Sequence, residues 1–457
     1  MKKRVRNLEP KGETDPRDYI DILPDDILVS ILSRLTLKEA VITSVLSRRW
    51  RYLWTHVGGL DFDADDALDR VAADTKLRRS ERTTYINWVN RVVRQHQRKT
   101  LNTVRICFDL DKGSKCAIEN WVKFAIRKRV ENLELDLLEN GDTLRLPIRN
   151  YSFLNNHFGR RKVLSAKKGL TGFIPTGLKF LKALTLKCVN LTEQSLGGIL
   201  SNCSVLHYLS VHGSGNLKNV KVSGLSLRLK HLEIVFCLGI NTIEISNVKL
   251  VSFTYLGPGI NLVLDNVPAL DEISIGEGYS GLENNVFGQL SCCLYQLEVF
   301  TLDIYRPDEN LMKYVFPELP NLKQLILKVG AWNDDSLLEF TSLVKACPNL
   351  NRFVLQLIWM LPSKRRRKIR RAAGCDHKHL NLVEIVGYYG RVSDDEIVVY
   401  FFENAASLKK VIIDPRNQIL ERLPVLSDQI KKQESARKRA KKQLEAKKPP
   451  RVELVIL

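Results

Sequence analysis

The chain has 457 residues, 44% hydrophobic and 27% charged, with a net charge of +20. That is long enough for a sizeable core and more than one folded unit. No run of about 18 apolar residues exists, the basic start Met1–Asp15 lacks an apolar leader core, and the nine cysteines form no CxxC pair; a membrane span, a secretory signal, a disulfide framework and a zinc site are therefore not expected, and a reducing compartment is.

Residues 1–19 read as a disordered basic N-terminus. Residues 20–60 hold three short amphipathic segments. Leu23-Pro24 precedes Asp25 and Asp26, which suit the positive end of a helix. Ile27, Leu28, Ile31, Leu32 and Leu35 follow with helical spacing. Thr36 and Glu39 form a capping box that opens a second helix, and Ser47 caps a third turn carrying Trp50, Leu53 and Trp54. A unit this small seldom buries its apolar surface alone, so the remainder should face a partner.

This stretch resembles an F-box, and its plant version in particular. The marks are Leu23-Pro24, Ile31-Leu32, the run Val45-Leu46-Ser47-Arg48-Arg49-Trp50, and Trp54. The resemblance implies docking onto the Skp-type adaptor of a cullin-based ubiquitin ligase. The adaptor contacts it implies are Leu23, Pro24, Ile27, Leu28, Ile31, Leu32, Leu35, Val45, Leu46, Trp50, Leu53 and Trp54.

Residues 61–100 read as a helical linker. Asp61–Asp69 lacks the glycine and terminal Glu of a calcium loop and is expected to be solvated. Leu60-Asp61-Phe62 matches a stretch that follows the F-box in the resembling family. Ile86, Val89, Val92 and Val93 then give a helix.

Over 101–349 the pattern LxxLxL recurs, for example Leu206-Leu209-Val211, Leu229-Leu232-Ile234 and Leu322-Leu325-Leu327. It continues to Leu408-Val411-Ile413 with a mean period of about 25 residues, inside the range of leucine-rich repeats. Leu101-Val104-Ile106 and Val130-Leu133-Leu135 are earlier copies, and one copy is blurred or missing between 135 and 181. Each repeat supplies a strand with inward Leu, and stacking makes a continuous core. The Asn or Cys eight residues after the lead Leu is mostly absent, Cys237 excepted, so the expected horseshoe is irregular. The fold class is α/β: a small helical F-box followed by an irregular leucine-rich-repeat solenoid with a curved parallel sheet.

Residues 350–415 resemble the FBD domain of plant F-box proteins. The elements are His379-Leu380, Val383-Glu384-Ile385, Gly387-Tyr388-Tyr389-Gly390, Glu396–Asn404 and Ile413-Asp414-Pro415. By pattern these are two closing repeats with a helix between them; Tyr388 and Tyr389 are read as packing beneath the cap, with a binding site as the alternative. Residues 416–457 read as a basic tail: Ser427–Ala446 as a frayed or free helix, the last residues, RVELVIL, as apolar enough to dock as a strand.

Residues 1–6, 364–371 and 431–451 carry +4, +7 and +8, so the folded body is nearly neutral. Lys364, Arg365, Arg366, Arg367 and Lys368 form a candidate nuclear-import signal, with a nucleic-acid contact or a solvated loop as the alternatives. No P-loop, GxSxG, HExxH or dinucleotide fingerprint occurs, and no catalytic role or cofactor is implied. Cys375, Asp376, His377 and His379 are a loose ligand-like cluster, read as a turn before a strand because four properly spaced ligands are not visible.

The chain thus reads as a non-catalytic substrate receptor of the nucleus or cytoplasm, with a Skp-type adaptor, a cullin scaffold through it, and a protein target as partners. Membrane and nucleic acid are not expected partners. The target surface is placed on outward strand positions: Tyr208, His212, His231, Glu233, Glu272, Asp303, Lys328, Arg352, Gln356 and Glu384. The alternatives are a nucleic-acid-associated protein acting through basic tails, or a repeat scaffold without ligase work.

Overall fold

The computed structural model describes residues 20, 22–137, 150–153, 176–276, 286–304, 316–331, 334–359, 368, 370–372, 374–416 and 427–457. Three short helices open it: α1 (Asp25–Leu32), α2 (Leu37–Ile42) and α3 (Trp50–Leu53). Their stops and starts follow local chemistry. Thr36 accepts from the Glu39 amide at 3.3 Å while Glu39 accepts from the Thr36 amide at 2.9 Å, so the capping box forms as expected. Arg49 ties α1 to the approach of α3, with Nε 2.8 Å from Asp25.

The strands come in chain order as β1 (Gly59–Asp63), β2 (Thr103–Cys107), β3 (Asn132–Asp136), β4 (Tyr151–Ser152), β5 (Ala183–Lys187) and β6 (Val189–Asn190). Next are β7 (Tyr208–His212), β8 (Asn219–Ser223), β9 (His231–Val235), β10 (Thr242–Ser246), β11 (Ser252–Leu256), β12 (Asn261–Asp265) and β13 (Glu272–Gly276). The last are β14 (Val299–Ile304), β15 (Gln324–Gly330), β16 (Arg352–Ile358), β17 (Leu382–Val386), β18 (Lys410–Asp414) and β19 (Glu453–Ile456). Fourteen of them form one parallel sheet in the order β1-β2-β3-β5-β7-β9-β11-β13-β14-β15-β16-β17-β18-β19. A three-stranded sheet β12-β10-β8 and the pair β4-β6 stand apart from it.

Each LxxLxL copy lands in register. Leu209, Leu232, Phe253, Ile273, Phe300, Leu325 and Phe353 align across successive strands, each 0–1% exposed. One continuous core runs from Leu28 to Val452. Across the blurred region between 135 and 181, β3 pairs directly with β5.

Two expectations change, and one finding is new. Leu60-Asp61-Phe62 is the first strand of the sheet, pairing with β2, and the acidic residues beyond it open helix α4 (Asp65–Ala73). The signal was present: Val57-Leu60-Phe62 has the repeat spacing, and all three are buried. Second, the helix Ser427–Leu444 is docked along its buried Ala436, Ala440 and Leu444. Third, the F-box core is shared. Trp54, Val57 and Leu60 join it to Tyr85, Val89 and Val92 of α5 (Arg78–Gln95), so neither part has a core wholly its own.

Glycines fix the end of the sheet. Gly387 has φ +79, and a Cβ there would lie 2.3 Å from the Leu357 carbonyl oxygen, so only glycine fits. Tyr388 is fully buried beside it and donates to Asp395 at 2.6 Å, as the packing reading expected. Beneath the helix Val392–Asn404, the buried Arg391–Asp394 pair (2.7 Å) and Asp334, which accepts from the Ser393 amide at 2.9 Å, satisfy its first turn.

Candidate functional site

Two surfaces stand out. The first is on the N-terminal helices. Nine of the sixteen exposed large hydrophobic side chains among the described residues lie within 20–52: Ile20, Ile22, Ile27, Ile31, Leu35, Ile42, Val45, Leu46 and Tyr52. Val45 is 81% exposed and Leu46 65%. Apolar surface gathered so densely marks an interaction site.

The structure divides the expected adaptor contacts. Ile27, Ile31, Leu35, Val45 and Leu46 are exposed, Pro24 is exposed at the entry to α1, and Leu23 is half-buried. Leu28, Leu32, Trp50, Leu53 and Trp54 are at most 7% exposed and belong to the core, so they support that surface from beneath. The correction has a plain cause. Apolar residues on both sides of α1 share the same helical period, and spacing does not tell which side faces inward. Ile42 and Tyr52 were missed because they stand outside the motif words.

The second surface is the open face of the long sheet, opposite the helices, which is the concave side of a solenoid. All ten expected target residues point there: Glu272 is exposed and the others are half-buried. Across β7 and β9, Tyr208 donates to Glu233 at 2.7 Å, and His212 Nε2 lies 3.8 Å from the same carboxylate. His212, with Tyr208 and Ser210, holds the Glu233 carboxyl at about 2 against the upward pull of burial. Burial and the Glu233 carboxylate push the Tyr208 hydroxyl to about 12.

Further along, Arg352 donates to Glu384 at 2.9 Å, with Gln324 at 3.3 Å. Asp303, Lys328 and Gln356 are neighbours in register, and burial raises the Asp303 pKa. The start of this face carries further charge, of which only Lys187 is found by strand alternation in the sequence. Arg105 reaches Asp63 at 2.9 Å, Asp61 at 3.2 Å and Glu134 at 3.5 Å, and Lys187 reaches Asp136 at 2.8 Å.

Lys364–Arg367 of the basic cluster lie outside the described residues; Lys368 is exposed. His377 is a buried residue whose Nε2 sits 3.0 Å from the Tyr400 hydroxyl, and among the described residues no three His, Cys, Asp or Glu side chains are grouped to hold a metal. No described helix is long and apolar enough to cross a membrane.

A short helical unit joined to a parallel solenoid of period-two strands defines an F-box protein with leucine-rich repeats. The F-box domain profile matches residues 20–60, and the profile described as At1g61320/AtMIF1, LRR domain, matches residues 92–457. The chain belongs to that leucine-rich-repeat family. The F-box/FBD/LRR-repeat protein At5g56420 of Arabidopsis thaliana is 26% identical over 90% of this chain and 95% of its own length. At2g04230, of the same description and organism, is 26% identical over 91% and 93%. The F-box/LRR-repeat protein At3g59200, also from Arabidopsis thaliana, is 32% identical over 48% of this chain and 41% of its own. These findings support a substrate-adaptor role of the general F-box kind.

Proposed function

We propose that the protein is the substrate-recognition subunit of a Skp–cullin–F-box ubiquitin ligase. The exposed apolar band on α1, α2 and the Val45-Leu46 turn binds a Skp-type adaptor, and a cullin scaffold joins through it. The open sheet face holds the target, and ubiquitin transfer occurs on other subunits. The contribution of this chain is proximity and orientation, without catalysis or cofactor. The crowding of nine exposed large hydrophobic side chains into residues 20–52 carries the reading. Co-purification with a Skp-type adaptor, for the natural chain and for Ile31→Asp with Val45→Asp, tests it. Loss of the adaptor by a variant that still melts cooperatively supports the reading; retention overturns it. We also propose that Lys364–Lys368 direct part of the protein to the nucleus, since a cluster of cations on a near-neutral body suits an acidic import receptor.

A further inference from the structure

We propose that Glu233, framed by Tyr208, His212 and His231, is a subsite that takes an Arg or Lys side chain of the target. This rests on the reading of the open sheet face as the target surface and names the chemistry of one position on it. Glu233 sits at the middle of β9, opposite Ser210 of β7, with Tyr208 and His212 on the diagonals. Tyr208 and His231 are paired in register, their rings 6.4 Å apart and tilted at 45°.

Charge bookkeeping marks this carboxylate. Several others on the same face are neutralised from within: Asp61, Asp63 and Glu134 by Arg105, Asp136 by Lys187, and Glu384 by Arg352. Glu272 and Asp303 share its lack of an ion pair among the described residues, but neither has its aromatic and histidine frame, and Lys328 stands next to Asp303 in register. Among the described residues Glu233 has no Lys or Arg in ion-pair contact, only the His212 ring. A half-buried carboxylate without a cation is a standing demand for one.

The surrounding polar atoms are also unspent. Ser210 is 1% exposed, and its hydroxyl and His212 Nε2 favour the Glu233 carboxylate from close by, His212 at 3.8 Å, without either completing a hydrogen bond. An unmet buried polar atom is costly, and a guanidinium brings five donors in one plane to meet a carboxylate oxygen together with neutral acceptors. The aromatic frame adds faces on which a cation is stable. A metal ion is the poorer occupant, since no three-ligand group exists here among the described residues.

The test uses the full chain and two short Gly/Ser peptides, one with a single central Arg and one with the neutral isostere citrulline, followed by ligand-observed NMR titration. The Arg peptide should bind, and citrulline should weaken binding at least tenfold. Glu233→Gln, which keeps the acceptor for Tyr208, should weaken the Arg peptide by a similar factor. Thr254→Lys, which places a cation beside Glu233 on the next strand, should do the same, while Glu244→Gln, on β10 of the separate three-stranded sheet, should leave binding unchanged. Equal affinity for the two peptides, no binding of the Arg peptide, or unchanged binding by both Glu233→Gln and Thr254→Lys in folded form overturns the subsite. Adaptor co-purification reads the other end of the molecule. If it persists and changes at Arg352 and Asp303 still release captured target, the wider reading stands and the subsite alone falls.

Discussion

Arg439 of the last helix lies 2.8 Å from the Asp395 carboxylate, whose other oxygen accepts the Tyr388 hydroxyl at 2.6 Å. Arg439 passes over Gly390, where a Cβ would sit 2.8 Å from its Cδ. The basic tail is thereby fastened to the closing repeats, and β19 completes the sheet beside β18. Arg439→Ala would leave Asp395, 3% exposed, without its cation, at a cost of about 1–3 kcal/mol. The expected result is faster hydrogen exchange in β19 and faster proteolysis within 427–457. Lys438→Ala, at an exposed position one residue away, should change neither.

Core and face should separate cleanly on melting. Leu325→Ala, at a fully buried inward position, should cost about 2–5 kcal/mol through the cavity it opens. Glu272→Lys, at an exposed outward position, should move stability by under about 0.5 kcal/mol. Arg352→Glu should fall between them, because it sets a second carboxylate against the half-buried Glu384. Thermal melts of the three variants check the order.

Acid should reveal Glu233. Its carboxyl titrates at about 2 in the folded chain against 4.5 ordinarily. A depressed carboxyl stabilises the fold above the unfolded pKa, and that contribution is lost as pH falls through the folded one. Glu233→Gln should therefore be less stable than the natural chain at pH 7, by about 1–2 kcal/mol after allowance for solvent screening. The gap should narrow below 4.5 and close near pH 2, read from denaturant melts across that range. A gap that does not change with pH contradicts the assignment.

The long sheet was legible because Leu232 and Ile234, or Leu325 and Leu327, repeat a period of two inside a period near 25, and only stacking buries such a face. β1 was overlooked despite the repeat spacing of Val57, Leu60 and Phe62, because Leu60 and Phe62 stand in an acidic run whose Asp61 and Asp63 find their cation, Arg105, only after the next strand pairs. The docked tail helix was hidden for a similar reason. Its buried stripe is Ala436, Ala440 and Leu444, two small residues and one Leu within a run of cations. On the candidate site, motif spacing found the right helices but not their inward side. Pairings such as Tyr208 with Glu233 depend on register between strands about 25 residues apart, which a linear pattern does not display.

Location gives a separate test. Ala at Lys364, Arg365, Arg366, Arg367 and Lys368 should reduce nuclear accumulation of a fluorescent fusion relative to the natural chain. A natural fusion that stays wholly cytoplasmic with export blocked contradicts the import proposal.

The central claim concerns two adjacent residues of α1, Ile31 at 43% exposure and Leu32 at 1%. Ile31→Asp should preserve the melt within about 0.5 kcal/mol, as surface changes usually do. In an apolar interface centre the same change should cost about 2 kcal/mol or more of adaptor binding. Leu32→Ala should instead destabilise the shared core by about 2–5 kcal/mol. The decisive measurement is the affinity of purified Ile31→Asp for a Skp-type adaptor, taken beside its melting curve. The account predicts lost affinity with an unchanged melt; full affinity in the folded variant would contradict it.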